Sequence, residues 1–340
     1  MKSKIFLVVV SVLCGVGLGY LIGFNKFHKK PTTAVSTSAN GSGVSFGKYI
    51  NPTLSCYGPH IKELRSFRYL IDSYLNKLHQ TNPDLKVSYY FRDLANGIWI
   101  GINEKEEFSP ASLLKLPVMI AVLKEAERNP DFFNKSIEFK TADFAGVSEE
   151  AGFPKENGKF YTIDELIAHM IGYSDNAATL LLHQYVGEQK VKDVEDFLHQ
   201  HVPEDGTANT NFISVKNYAA AFRVLYNCSY LGKEMSEKAL GYLAQSHYKS
   251  GIRAALPDSI VLAHKYGVRD NSDVNGKDVK GYQLHHFGII YYPAKPYLLG
   301  IMTRGGEKAI KEKVIEDLSR ITFSQVDEQM KSPEFAQITP

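Results

Sequence analysis

Phe108-Ser109-Pro110-Ala111-Ser112-Leu113-Leu114-Lys115-Leu116-Pro117, running on into the unbroken apolar stretch Val118 to Leu123, decides how this chain is read. Almost no polar residue interrupts it before Lys124, so it reads as a buried helix opened by Ser112. Three residues is just under one helical turn, which puts Ser112 and Lys115 on one face. A lysine on a buried helix is expensive to keep charged. Burial favours the neutral amine, and a neutral amine can take the proton of a serine hydroxyl. Pro117 falls in the first turns, where its missing N–H is tolerated. An S-x-x-K pair alone arises by chance about once or twice in a chain of this length. Ser45-Phe46-Gly47-Lys48 and Ser246-His247-Tyr248-Lys249 also match the pattern, so context singles out the pair Ser112 and Lys115.

Two further runs belong with it. Ser174-Asp175-Asn176 precedes Ala177-Ala178-Thr179-Leu180-Leu181, and all three polar residues are good helix N-caps. A cap turn also presents short polar side chains at a cleft edge, where a hydroxyl can relay protons and an amide can bind a carbonyl. The third run requires a lysine on a strand lining the cleft, with a glycine that lets backbone approach closely. Lys249-Ser250-Gly251 and Lys265-Tyr266-Gly267 both compete for that role. Lys249 ends a helical segment, whereas Lys265 ends the alternating run Ile260 to His264 and is followed by two more strands, so Lys265 is chosen.

Ile61 to His79 has apolar residues at helical spacing. Lys86 to Ile102 reads as two strands about an Ala95-Asn96-Gly97 turn. The region from about 110 to 245 is mostly helical, with a capping box at Thr162-Ile163-Asp164-Glu165 and a helix stop at Gly187. Strands return at Ile260–Ala263, Gly288–Tyr292 and Tyr297–Met302, and a last helix spans about Glu307 to Val326. The predicted fold is α/β (α+β): an antiparallel five-stranded sheet built from both ends of the chain and flanked by helices, plus an all-helical lobe. A substrate cleft belongs between them.

Together the three runs resemble the S-x-x-K, S-D-N and K-[ST]-G signature of class A β-lactamase-type serine hydrolases, in the wider penicillin-recognising β-lactamase/transpeptidase-like superfamily. Arg253-Ala254-Ala255-Leu256-Pro257, Gly288-Ile289-Ile290 and the closing helix resemble the same family, and the resemblance covers about residues 56 to 327. It implies Ser112 as the acylated nucleophile and Lys115 as its general base, with Ser174 passing a proton to the leaving nitrogen. It implies substrate binding by Asn176, Lys265, Gly267 and Val268, the N–H groups of Ser112 and Val268 forming the oxyanion hole. The implied substrate is a β-lactam or a peptidoglycan stem peptide. The activity is then that of a β-lactamase, of a D,D-peptidase or transpeptidase, or of a catalytically weak wall-binding homologue. Three departures stand out. Tyr266 replaces a Thr or Ser, and His285-His286-Phe287 occupy the place of a common arginine. The loop His199 to Asn211 lacks the E-x-x-x-N pattern that activates the deacylating water, Glu204 and Asp205 being the only carboxylates nearby.

Lys and Arg number 39 against 37 Asp and Glu, so no broad field recruits nucleic acid. No metal cluster or nucleotide-binding glycine loop stands out, so neither metal nor cofactor is expected. Ile5 to Phe24 is an uncharged apolar run of helix length sufficient to cross a hydrocarbon layer of about 30 Å. It reads as an uncleaved anchor in preference to a signal peptide cut near Ala34-Val35-Ser36. The expected organisation is a cytoplasmic tail 1–4, an anchor 5–24, a flexible linker 25–55, a hydrolase domain 56–327 and a tail 328–340. That makes a single-pass protein of a bacterial cell membrane, its domain monomeric and extracytoplasmic. Cys56 and Cys228 allow one disulfide or two thiols.

Overall fold

The computed structural model describes residues 62–140, 156–200, 211–269 and 281–331, all within the unit Pro52–Pro340. The anchor, the linker, Cys56, Glu204 and Asp205 lie outside the described residues. Among those described, no helix is long and apolar enough to cross a membrane.

Helix α1 (Lys62–Thr81) leads into β1 (Lys86–Asp93) and β2 (Trp99–Ile102), joined by the predicted turn. After β3 (Glu107–Phe108), a 3-10 turn at Ala111–Leu114 runs straight into α2 (Lys115–Arg128). The middle continues through β4 (Ser136–Glu138), β5 (Phe160–Thr162), α3 (Ile163–Gly172), α4 (Asn176–Val186), α5 (Glu188–Phe197), β6 (Ile213–Ser214), α6 (Val215–Tyr226) and α7 (Lys233–Ala244). Strands β7 (Leu262–Arg269), β8 (Gln283–Ile290) and β9 (Tyr297–Arg304) and helix α8 (Lys308–Lys331) complete the fold. The five long strands form one antiparallel sheet in the order β2-β1-β9-β8-β7.

Strand alternation divides the interior in two. Ala263, Phe287, Ile289, Leu298 and Met302 join the helical lobe around α2, whose residues Lys115 to Leu123 are all buried. Val87, Tyr89, Phe91, Leu299 and Ile301 face the other way, packing with Phe67 and Ile71 of α1 and Ile315 and Leu318 of α8. Phe67 meets Phe91 edge-on at 5.0 Å. Each such fully buried aromatic contributes about 1.5–3 kcal/mol by leaving water. Because both faces of the sheet are covered, β1 is buried continuously from Val87 to Phe91 instead of alternating with solvent.

Three expectations shift. The helix predicted from Ser112 starts as a 3-10 turn, and residues i and i+3 eclipse in that geometry, so Ser112 and Lys115 superimpose more closely than on an α-helix. Strands β7 and β8 reach beyond the predicted spans, because Lys265 to Arg269 pairs in register with Gln283 to Phe287. The last helix continues past Val326 to Lys331, supported by a Lys331–Asp327 ion pair of 2.6 Å. Cys228 is exposed and in the left-handed region at φ 51°.

Candidate active site

The nucleophile turn sits where α2 meets the edge strand β7. The Leu113 carbonyl lies just before α2 and accepts from the Lys115 N–H, while Pro117, in the first turn, stands where an N–H would have no partner within the helix. The buried Tyr218 hydroxyl, from α6, donates to that carbonyl at 2.9 Å. Upstream, Gln283 Oε1 accepts from the Ser109 N–H at 3.1 Å, and its amide nitrogen donates to Asn211 Oδ1 at 2.9 Å. His285 Nδ1 accepts from the Thr303 N–H at 3.3 Å, which leaves Nε2 to donate to the Ser109 carbonyl at 2.8 Å. Three side chains from α6 and β8 therefore hold both ends of the turn carrying Ser112. Tyr218→Phe is expected to lower stability by about 0.5–1.5 kcal/mol in urea unfolding, because it removes one hydrogen bond from a buried carbonyl that keeps the Lys115 N–H. A change under about 0.3 kcal/mol would show that this contact does not matter.

Gly267 sets the distance from the other side. A Cβ there would lie 2.8 Å from the Pro110 carbonyl oxygen and 2.9 Å from Leu113 Cγ. Only a glycine lets β7 press this closely on the turn that carries Ser112.

Lys115 is 4 % exposed and Lys265 fully buried. Lys115 Nζ lies 2.9 Å from Ser112 Oγ, 2.6 Å from the Ser174 carbonyl, 3.1 Å from Ser174 Oγ and 2.6 Å from Asn176 Oδ1. Four oxygens exceed the three N–H groups of an ammonium. A neutral amine, with two N–H groups and one lone pair, also has three bonding positions, so in either state the head is shared among the four oxygens. In the neutral state its lone pair can accept from the Ser112 O–H. Lys265 Nζ donates to Ser174 Oγ at 2.9 Å and to the Tyr266 carbonyl at 2.9 Å. Ser174 Oγ thus stands between the two amines, within hydrogen-bond reach of both.

The local backbone explains why Ser174 can do this. Asp175, not Ser174, caps α4, its Oδ1 accepting from the Ala178 N–H at 2.7 Å. Ser174 is left outside the helix at φ 61°, a conformation costly for a non-glycine residue and held here by its surroundings. Its side chain is thereby released from capping and turned to the lysines. Asn176 is the first helical residue, its side chain directed at Lys115.

The choice of Lys265 agrees with the geometry. Lys249 is exposed after α7, and Gly251, at φ 61°, packs against His286 instead of the nucleophile turn. Ser246 is buried, but its partner in the pattern, Lys249, is not. Tyr266, at the place of the Thr or Ser, is engaged through its ring. Its ring centroid lies 4.5 Å from Lys265 Nζ and 3.9 Å from that of Tyr248, stacked at 14°.

Residues at the place of the absent arginine are structural. His264 Nδ1 and His286 Nε2 are 2.8 Å apart, and His286 Nδ1 accepts from the Ile252 N–H at 3.1 Å. Burial pulls His285 down to about 4 and His264 to about 3, and lowers His286 as well. The unfolded chain takes up protons at these imidazoles below about pH 6.5, while the folded chain excludes them until far lower pH. Stability is therefore complete above pH 6.5 and falls as the pH drops toward 4, by up to about 1.4 kcal/mol per pH unit per imidazole. Urea midpoints at pH 7, 6 and 5 should decline in order. A flat series would contradict neutral buried histidines.

Comparison with known proteins places this geometry. Residues 70–326 match the model of the "Beta-lactamase enzyme family". Beta-lactamase OXY-1 of Klebsiella oxytoca is 28 % identical over 186 residues, half of this chain and 62 % of that protein. This chain thus spans under two thirds of that relative's length. Beta-lactamase VEB-1 of Pseudomonas aeruginosa is 23 % identical over 253 residues, 66 % of this chain and 79 % of that one. Among solved structures, a TLA-1 extended-spectrum beta-lactamase superimposes with TM-score 0.66 at 19 % identity, over 76 % of this chain and 99 % of its own. PBP-A superimposes with TM-score 0.64 at 18 % identity, over 76 % of this chain and 96 % of its own. A PBP-A variant has been solved as an acyl-enzyme complex with penicillin G. The matched span covers most of the chain and every residue of the site built above: the chain belongs to the beta-lactamase enzyme family.

Proposed function

We propose that the protein is a membrane-anchored serine hydrolase of the class A β-lactamase type, acylated at Ser112 by β-lactams or related acyl-D-amino peptides. The observation that carries this is the contact of Lys115 Nζ with Ser112 Oγ on one side and Ser174 Oγ on the other. Lys115, as the amine, takes the Ser112 hydroxyl proton while Oγ bonds to the amide carbon. The oxyanion forms beside the N–H groups of Ser112 and Val268. The C–N bond then breaks as Ser174 Oγ gives its proton to the departing nitrogen and recovers one from Lys115. Lys265 holds Ser174 Oγ in place and offers positive charge to a substrate carboxylate. Asn176 holds the side-chain amide of the substrate. Water finally adds to the acyl carbon and releases Ser112.

The last step decides between two readings. The loop His199 to Asn211 lacks E-x-x-x-N, and an enzyme without a placed base keeps its acyl group. This supports a second reading, a penicillin-binding-protein-like D,D-peptidase or transpeptidase acting on peptidoglycan stem peptides. The apolar run Ile5 to Phe24 supports a single-pass anchor in a bacterial cell membrane, and a substrate of the cell wall supports placing the monomeric domain outside it. The test is full-length protein incubated with a fluorescent penicillin and followed by intact mass. An adduct that forms and clears is expected of the hydrolase, one that persists of the peptidase. No adduct at all would overturn both.

A further inference from the structure

Beside Ser174 the site carries a pair of parallel rings that no acylation step uses. The ring of Tyr173, the residue before Ser174, lies 4.1 Å from that of His247 with planes 16° apart. Tyr173 also stacks with the half-buried His169 at 5.5 Å and 25°. This arrangement is built into the backbone. The His247 N–H donates to the Gly172 carbonyl at 2.9 Å, tying the segment after α7 to the end of α3. The imidazole edge lies over Gly172, its Cδ2 3.5 Å from where a side chain there would begin.

The next residue, Tyr248, turns the other way. It stacks on Tyr266 at 3.9 Å and meets His286 edge-on at 5.2 Å, so its ring is taken up by protein. One dipeptide thus puts a ring on the neighbour of Ser174 and another on the neighbour of Lys265. Of the two, His247 is the exposed member.

We propose that Tyr173 and His247 form a binding subsite for a planar ring carried on the leaving-group side of the substrate. This deepens the proposed function and rests on it for the direction, since Ser174 is the residue that protonates the departing nitrogen. A flat π face extends an existing stack, whereas a puckered ring of the same size makes fewer contacts and gains nothing from ring electrostatics.

The test uses full-length Ser112→Ala protein, in which binding is read without chemistry. Dissociation constants are measured by calorimetry for two cephalosporins that differ only in the leaving-side arm, one ending in phenyl and the other in cyclohexyl. The phenyl compound should bind about three- to twelvefold more tightly, the scale of one stacking contact. Adding His247→Ala should bring the ratio close to one, and adding His247→Phe should keep it. Equal affinities, a preference that survives His247→Ala, or no binding of either compound would each overturn the subsite. Acylation of the wild type by the same pair is followed in parallel. Absence of an adduct there would overturn the proposed function, while the calorimetric comparison still decides the subsite on its own.

Discussion

Ser112→Ala should lose the penicillin adduct, with acylation falling by roughly 10⁴-fold or more, the scale of removing a covalent nucleophile. The fold should be intact, since the change deletes one small hydroxyl, in contact with Lys115 Nζ. Ser246→Ala is the matched control. Ser246 carries the same S-x-x-K pattern, but it is buried at the end of α7 and its Oγ accepts only a 3.5 Å bond from the Tyr248 N–H. Its adduct should form at close to the wild-type rate. Intact mass after timed exposure reads both variants. Labelling of Ser112→Ala at the wild-type rate would remove Ser112 from the chemistry and reopen the choice of motif.

Lys115→Met should slow acylation by about 10²–10⁴-fold, the usual worth of a positioned general base. Methionine fills similar space on the buried face of α2, so packing around Leu116 and Met119 is retained. The thermodynamic consequence is mixed. The Ser174 carbonyl and Asn176 Oδ1 lose their donor, at a cost of about 1–3 kcal/mol each. Against this, no amine has to be desolvated. Urea unfolding reads the balance of these two opposed effects, whereas the acylation rate reads the missing base. Acylation within tenfold of wild type would show that the serine proton leaves by another route, with Lys265 through Ser174 the next candidate.

Much of this was legible before any coordinates. The helical spacing of Leu64, Phe67 and Ile71, the turn at Ala95-Asn96-Gly97 and the capping box at Thr162 are local signals, and each formed where it was read. The sheet was legible as five strands because its members are rich in β-branched and aromatic residues. The four short strands β3 to β6 were not. Two or three residues carry no period, and they pair only because the chain on either side is already held.

The site divides along the same line. Ser112 and Lys115 were found because they lie on one continuous element, and three-residue spacing survives the change from α-helix to 3-10 turn. Tyr218, Gln283 and His285 were missed as supports of the nucleophile, although His285 had been noticed as standing in place of an arginine. Nothing near Tyr218 in the sequence says that its hydroxyl reaches the Leu113 carbonyl, 105 residues away.

By itself, then, the sequence determined the pairing of Ser112 with Lys115 on one face, the antiparallel sheet and the helical lobe, because these follow from composition and period over neighbouring residues. Only the tertiary structure decided that Asp175 takes the cap and frees Ser174, and that Ser174 Oγ stands within reach of both Lys115 and Lys265. It alone decided that Gly267 sets the approach of β7 to the nucleophile turn, and that His247 faces outward over Tyr173. Each of these depends on which strand or helix end meets which across the fold, and such long-range contacts leave no local pattern to read.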